Sequence, residues 1–308
     1  MSVAATNAPR ALPVRALRMV LDLCVGAVLC MTPVTAIVAQ GWLMRRMRVA
    51  FERGRGERVA PPGWLFGPAE RRLGRLFAGL AGNVREGFSA TVSLGLMIGP
   101  FAALWMFAWW AGWDNSFNKG YEQAGVGQTL FGIGILIFLG TMLHLPLALA
   151  HQAATGRWFA VFDWRAVRRV VTHAGWGHVW LALCMVLFAV PLFGRRGLPV
   201  FVEDVVPGFA DFTPEQVDGL LFVTNLATAA YVFAGLFVLR LWSMRIYARA
   251  LERAEAGQPR WRLGRGARGA ALVVIWFGLV VLIVVGQFLN HSWWAWGHHP
   301  LYGVPWWG

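Results

Sequence analysis

The sequence predicts an all-α integral membrane protein with five to six transmembrane helices and amphipathic interfacial helices at the cytoplasmic surface. Its 308 residues are 57% hydrophobic and only 14% charged, whereas about a quarter of the residues in a soluble domain are charged. Five apolar segments are long enough, or nearly so, to cross about 30 Å of hydrocarbon: 88–111, 125–150, 176–193, 218–242 and 270–289. The loops are too short for a separate soluble domain, so any function should lie within the bundle or on its rims.

The charge of the loops predicts the orientation of the chain. The formal net charge is +13, and arginines concentrate in three segments, 45–87, 151–175 and 243–269. The loops 112–124 and 194–217 hold few basic residues beside several acids. Because basic loops remain on the cytoplasmic side, the three arginine-rich segments should face the cytoplasm and the C-terminus should lie outside. The membrane therefore explains the charge better than nucleic acid does, and we expect no nucleic-acid partner.

Three regions follow from this pattern. They are an N-terminal basic arm (1–18), a single helical membrane domain (19–289) and a tryptophan-rich outer tail (290–308). Abundant Arg, Ala and Gly beside a single Lys indicate a GC-rich bacterial coding bias, so the membrane is expected to be a bacterial inner membrane. The cysteines lie inside apolar runs, which argues against a disulfide framework.

The first apolar segment, 19–44, has two interpretations. Arginines flank both of its ends, whereas a simple span would leave one basic flank outside. Thr32-Pro33 interrupts the segment, because proline lacks an N–H donor and disfavours helix at the residue before it. A re-entrant hairpin accounts for both facts, and an ordinary span with its N-terminus outside is the alternative. Asp22, within one turn of Arg18, is expected to pair with that arginine.

Two basic segments are predicted to form rim helices in the plane of the lipid headgroups. In 68–86 apolar residues recur at helical spacing behind a cluster of charges, and 158–171 has a similar character. Both are expected to contact anionic lipid on the cytoplasmic side. The arginines assigned to this role are Arg71, Arg72, Arg75, Arg165, Arg168 and Arg169.

A long helix is predicted to begin at Thr213. This threonine is a hydroxyl N-cap, Pro214 follows in the first turn, and Gln216 can return the hydrogen bond. No helix breaker follows until about Ala256, which gives a helix long enough to project beyond the membrane. Gly95 and Gly99 form a G-x-x-x-G, a pattern typical of close helix packing.

Tryptophan placement also supports the topology, because tryptophan concentrates at membrane–water interfaces. We interpret the outer tryptophans as an aromatic belt or as a docking surface for another membrane subunit. Trp105 lies toward the outer end of segment 88–111 and joins the predicted belt. The candidate interface residues are Trp109, Trp110, Trp113, Trp293, Trp294, Trp296, Trp306 and Trp307.

Four histidines are expected to lie on the cytoplasmic side: His144, His151, His173 and His178. His144 and His151 are seven residues apart and would share one helix face. Paired imidazoles can hold haem iron or a chlorophyll-type pigment. No carboxylate or thiolate completes a metal-site spacing among them. Interfacial hydrogen bonding is therefore the favoured interpretation, with a haem or pigment role as the alternative and no metal site expected.

The sequence contains none of the common catalytic signatures. It lacks a nucleophile elbow, a Walker A loop, a dinucleotide-binding glycine motif and a cysteine nucleophile beside a credible base. Asp22 is the only acid well inside an apolar run, and intramembrane acids are a usual sign of a transporter. Because these catalytic signatures are missing, we expect that the protein is not an enzyme.

Two stretches of the chain carry a resemblance to a known family. The first holds Pro33, Gly41-Trp42, Arg45-Arg46, Pro61-Pro62-Gly63-Trp64 and Gly79, and the second runs from Gly156 to Asp163, followed by Val167 and Arg168-Arg169. Across roughly 25–255 the chain resembles the bacterial multispanning DUF4013 family. Trp42 and Pro61-Pro62-Gly63 stand where the family pattern has Tyr and Leu-Pro. The resemblance implies a helical membrane fold with rim helices, and it implies no activity or catalytic residue.

Three functions remain open at this point. The leading hypothesis is a scaffold, accessory or assembly subunit of a larger membrane complex, because chemical motifs are missing and the outer tail is rich in tryptophan. The rival is a transporter for a small or amphiphilic solute. The third is a haem- or pigment-binding subunit of an electron-transfer or light-harvesting complex, which depends on the four histidines. Expected partners are membrane lipids and other membrane protein subunits.

Overall fold

The computed structural model describes residues 12–66, 72–108, 124–197, 206–257 and 263–289, and every regular element within these ranges is helical. Two short 3-10 turns, Ala160–Phe162 and Phe209–Asp211, accompany the α-helices. The α-helices are α1 (Leu12–Leu29), α2 (Pro33–Gly54), α3 (Arg72–Ala108), α4 (Ala124–Met142), α5 (Leu145–Thr155), α6 (Trp164–His173), α7 (Trp176–Gly197), α8 (Pro214–Glu255) and α9 (Leu263–Leu289).

Five of these helices are long and apolar enough to cross a membrane. They are α3, α4, α7, α8 and α9, with candidate spans Phe77–Ala108, Gly125–Met142, Trp176–Arg195, Pro214–Glu255 and Gly266–Val284. Each overlaps one of the five predicted apolar segments. The expectation of an all-α, multi-span membrane protein is confirmed.

The first apolar segment folds as a helical hairpin. Thr32 caps α2, accepting a hydrogen bond from the backbone N–H of Thr35, and Pro33 occupies the first turn. Cys30, at the tip, shares a hydrophobic cluster with Ala229 of α8, which is level with the middle of the apolar segment 218–242. The start of α1 and the end of α2 both lie toward the arginine-rich end of the bundle, so the hairpin interpretation fits the structure and the simple span does not.

The predicted rim helix at 68–86 is wrong as a separate element. Its described residues form the first turns of α3, which continues without a break to Ala108. No proline or cap separates residues 72–86 from the apolar segment that follows, and α2 packs along this part of α3. Arg71 and the side chains of Arg72 and Arg75 lie outside the described part of the chain, so their contact with lipid stays a prediction.

The second rim segment contains a short surface helix, α6. Asp163 caps it, accepting a hydrogen bond from the backbone N–H of Ala166 at 3.3 Å. Val167 and Val170 are buried against the bundle. The three arginines of this helix, Arg165, Arg168 and Arg169, are exposed, and their contact with anionic lipid stays a prediction.

The predicted segment 125–150 is divided into two helices. α4 ends at Met142 and α5 begins at Leu145, with His144 as the N-cap residue of α5. Pro146 causes the break, because its ring removes a backbone donor and clashes with the preceding turn. The prediction that His144 and His151 share one face of a continuous helix is therefore wrong.

The long helix begins and ends close to the predicted positions. Thr213 and Gln216 form a reciprocal capping box, with Pro214 in the first turn. The helix has 42 residues, so at about 1.5 Å per residue it is longer than the hydrocarbon core is thick. Its C-terminal third therefore extends beyond the apolar segment and packs against α2, α5 and α6.

Candidate functional site

Residues of α2, α3 and the loop before α3 meet at the arginine-rich end of the bundle, and Trp42, Arg45, Arg46 and Trp64 among them belong to the family-like pattern. We call this group the basic junction and define it as Trp42, Arg45, Arg46, Arg48, Trp64, Asn83 and Glu86. Two glycines permit it to form. A Cβ atom on Gly41 would lie 1.7 Å from the carbonyl oxygen of Asn83, and one on Gly87 would lie 1.8 Å from that of Ile37. The backbones of α2 and α3 are therefore in direct contact.

Arg45 joins α2 to α3. Its Nη1 donates hydrogen bonds to the carbonyl oxygen of Gly79 at 3.0 Å and to Oδ1 of Asn83 at 2.9 Å. Asn83 is fully buried, and its Nδ2 donates in turn to the carbonyl oxygen of Trp64 at 2.9 Å. Burial lowers the pKa of Arg45, while Glu86 raises it and Arg48 lowers it further.

Two tryptophans connect the loop to the hairpin. The rings of Trp42 and Trp64 stack with centroids 4.5 Å apart and planes 4° from parallel. Nε1 of Trp42 donates to the carbonyl oxygen of Pro62 at 3.3 Å, and Nε1 of Trp64 donates to Oδ1 of Asp22 at 2.9 Å. Trp64 is thus the hydrogen-bond partner of Asp22, and the predicted ion pair with Arg18 is absent from the described residues.

Arg46 lies over aromatic rings. Its Cζ is 5.0 Å from the ring centroid of Trp42 and 5.8 Å from that of Phe237 on α8. Burial lowers the pKa of Arg46, the Asp22 carboxylate raises it, and Arg18 and Arg53 lower it. The charges of Arg18 and Asp22 on α1 therefore act on Arg46 of α2.

Arg48 extends the junction to α5. Its Nη2 forms a 3.0 Å ion pair with Oε2 of Glu86, and its Nε donates to the carbonyl oxygen of Ala153 at 2.9 Å. Gly156, the C-cap residue of α5, has a φ of +64°. A Cβ there would lie 2.7 Å from Nη2 of Arg48. Both the left-handed backbone and this close contact therefore require glycine at the position.

His151 forms the centre of a second polar group. Its Nδ1 hydrogen-bonds the hydroxyl of Tyr247 at 2.8 Å, and its Nε2 is buried, without a hydrogen bond, 3.8 Å from Oδ2 of Asp163. Asp163 also pairs with Arg157 at 3.5 Å. Burial lowers the pKa of His151, while Asp163 raises it and Arg157 lowers it.

Of the other three histidines, His144 and His178 lie close enough to each other for their charges to interact. Nδ1 of His144 hydrogen-bonds the carbonyl oxygen of Gly140, and Nδ1 of His173 that of Arg169. His178 is 2% exposed. Within the described ranges, no three His, Cys, Asp or Glu side chains are grouped as metal ligands. The four histidines therefore do not form one ligand set.

Sequence reasoning missed two buried polar features. Nε2 of Gln152 donates to the hydroxyls of Ser89 and Ser93 at 3.0 and 3.1 Å, and no motif marks this group. Arg240 is 7% exposed and its Nη1 contacts Sδ of Met44 at 3.4 Å. A signal for Arg240 was visible, since an arginine inside the apolar segment 218–242 is unusual.

The tryptophan predictions have two outcomes. Trp105 was expected in the outer belt, but it is 3% exposed and packs in the core against Phe101 and Phe138. This correction follows from the position of α4, whose Gly134 leaves room for the indole. The candidate interface tryptophans, Trp109, Trp110, Trp113, Trp293, Trp294, Trp296, Trp306 and Trp307, lie outside the described residues.

Comparison with known proteins gives a family and no characterised relative. No curated protein and no solved structure matches the chain. A family model described as a protein of unknown function, DUF4013, matches residues 24–197. The match includes every residue of the basic junction but stops before α8, so it is shorter than the resemblance read from the sequence. Because it covers more than half of the chain, this protein belongs to the DUF4013 family.

Proposed function

We propose that the protein is a non-enzymatic scaffold, accessory or assembly subunit of a larger complex in a bacterial inner membrane. One observation carries the proposal: the polar residues of the basic junction hold helices together. Arg45, Arg48 and Asn83 each bond partners on at least one other segment. A substrate site would need such groups to remain available, whereas a rigid scaffold needs them engaged.

The bundle interior supports the same proposal. Its largest fully buried side chains are aromatic and aliphatic, among them Trp276, Phe101, Phe138 and Phe233. They belong to two hydrophobic clusters: one joins α3, α4, α7 and α9, and the other joins α8 to α2. Apolar cores of this kind give stability and shape rather than a polar passage. The proposal places partners on the basic rim and the lipid-facing helix sides, and it also expects a partner to bind the tryptophan-rich tail, which lies outside the described residues.

A transporter is the second candidate, favoured by the buried group of Gln152, Ser89 and Ser93. Oε1 of Gln152 is buried and has no hydrogen-bond partner among the described residues. Buried polar groups inside a membrane bundle commonly mark substrate or ion pathways. A transporter would move its solute past this group between α3 and α5.

Purification from native membranes in mild detergent separates these functions. The scaffold proposal expects a membrane protein that co-elutes at fixed stoichiometry by native mass spectrometry and is lost when residues 292–308 are deleted. The matched control is Arg165→Gln, which should keep the partner. A protein that elutes alone and is thermally stabilised by a solute would instead support transport. A Soret or pigment absorption band would support the haem or pigment hypothesis and contradict the scaffold proposal.

The orientation that goes with this proposal can be tested by cysteine labelling in spheroplasts. We expect Arg55→Cys and Gly257→Cys to react only with reagent supplied from the cytoplasm, because the basic end should face inward. Ser116→Cys should react only from outside. The reverse pattern would contradict the assignment of the basic end to the cytoplasm.

A further inference from the structure

Arg240 is a buried charge without a carboxylate partner among the described residues. The ion pairs there are Arg48–Glu86, His151–Asp163 and Arg157–Asp163, and none includes it. Among the described residues, its side-chain hydrogen bond runs 3.4 Å from Nη1 to Sδ of Met44. A guanidinium carries five N–H donors and a thioether is a weak acceptor. Burying such a group is unfavourable unless an anion accompanies it.

Gln40 supplies a second unpaired donor on the same side of α2. It precedes Met44 by four residues, so the two side chains lie one turn apart on one helix face. Nε2 of Gln40 is buried and has no hydrogen-bond partner in the described part of the protein. Buried amides are rarely left in this state. An acceptor beside Met44 would satisfy Gln40 and Arg240 together.

The depth of Arg240 identifies the kind of acceptor. The residue lies near the end of the apolar segment 218–242, on the arginine-rich side of the bundle. Arg46 of the basic junction contacts Phe237, about one turn deeper on the same helix. This end of an apolar segment lies at the level of lipid headgroups, and basic sites between helices at that level bind anionic headgroups.

We infer that Arg240 and Gln40 bind a phosphate group between α2 and α8. The guanidinium can donate two parallel hydrogen bonds to phosphate oxygens, and the Gln40 amide can donate a third. Met44 is flexible enough to move aside. The phosphate could come from the headgroup of an anionic phospholipid or from inorganic phosphate, and the experiment distinguishes the two sources. This site differs from the exposed rim arginines, which need only a negative surface, and it does not depend on the scaffold proposal.

Thermal unfolding of the delipidated full-length protein in neutral detergent tests the site. Phosphatidylglycerol, phosphatidylcholine and inorganic phosphate are titrated separately. We expect phosphatidylglycerol to raise the melting temperature saturably and phosphatidylcholine to have little effect. Arg240→Met should weaken the apparent affinity by about tenfold or more, because charge-assisted hydrogen bonds are lost. Gln40→Leu should have a smaller effect, and the control Arg249→Gln, at an exposed position of α8 beyond the apolar segment, should behave as wild type.

The lipid-free protein gives a second readout. Replacing an uncompensated buried charge by an apolar side chain of similar size is neutral or stabilising, so Arg240→Met should melt at or above the wild-type temperature when no anion is present. Inorganic phosphate that reproduces the shift, with the same dependence on Arg240, would support the site and identify a soluble source. Equal responses to both lipids, or an unchanged phosphatidylglycerol response in both Arg240→Met and Gln40→Leu, would overturn the inference.

Discussion

The two halves of α3 use glycine in opposite ways. In the basic half, Gly87 lies against the backbone of α2, where a Cβ atom would clash with the carbonyl oxygen of Ile37. In the apolar half, Gly95 and Gly99 form the G-x-x-x-G pattern, yet a Cβ on either would meet open space. Glycine spacing therefore did not identify the close helix contact; the contact lies where directed hydrogen bonds bring two backbones together.

The halves also differ in the interactions that stabilise them. The basic half is held by hydrogen bonds and an ion pair from Arg45, Arg48 and Asn83. The apolar half is held by rings, since Phe101 meets Phe138 edge-on at 5.1 Å. Directed bonds fix a single arrangement, whereas apolar packing between helices in lipid depends mainly on shape. Substitutions in the two halves should therefore have different costs.

The largest difference is expected for the glycines themselves. Gly87→Ala should destabilise the protein by about 3 kcal/mol, because overpacking forces two backbones apart. Gly95→Ala in the same helix should be neutral or stabilising by up to about 1 kcal/mol, since alanine favours helix. The free energy of unfolding in mixed detergent and SDS micelles measures both. Equal losses would show that the close contact at Gly87 is not specific.

Loss of the ion pair should have the next largest effect. Arg48→Met removes the bonds to Glu86 and to the carbonyl of Ala153, leaving the carboxylate largely buried, with a side-chain exposure of 15%. We expect a loss of about 2–3 kcal/mol, at or below the usual range for a broken buried pair because Arg48 is partly exposed. Arg165→Met on the exposed face of α6 is the control. The double variant with Glu86→Gln should recover part of the loss, and strict additivity would argue against the pair.

How much of the fold and of the basic junction could be predicted depended on the kind of sequence signal. The apolar segments, the break at Thr32-Pro33 and the capping box at Thr213 are local patterns, and the structure confirms them. Trp105 was misassigned because burial depends on which helix packs beside it. The sequence showed that Arg45 and Trp64 belong to a family pattern, but the partners of Arg45, Gly79 and Asn83, are more than thirty residues away along the chain.

The tryptophan link to the hairpin should have a smaller effect. Trp64→Phe keeps the stacking on Trp42 but removes the N–H that donates to Asp22. We expect a loss of about 1.5 kcal/mol, near the lower end for a hydrogen bond to a charged group. Trp158→Phe is the matched control, because Trp158 is 41% exposed and has ring contacts that phenylalanine retains. If Trp64→Phe costs no stability in an Asp22→Leu background, which has no side-chain acceptor, the hydrogen bond accounts for the loss; an undiminished cost there would assign it to packing.

The smallest expected effect is a pH dependence of stability that arises from His151 on α5. Burial depresses the pKa of His151 below 6.5 in the folded protein. As the pH falls through 6.5, the unfolded chain binds a proton that the folded chain resists, so stability declines until the pH passes the folded pKa. The decline is limited to about 1.4 kcal/mol per pH unit. His151→Gln should flatten the difference in unfolding free energy between pH 7.5 and pH 5.5, while His173→Gln, at a half-buried position on the surface helix α6, should not. A wild-type protein that becomes more stable over this interval, with the gain lost in His151→Gln, would show that attraction to Asp163 outweighs burial.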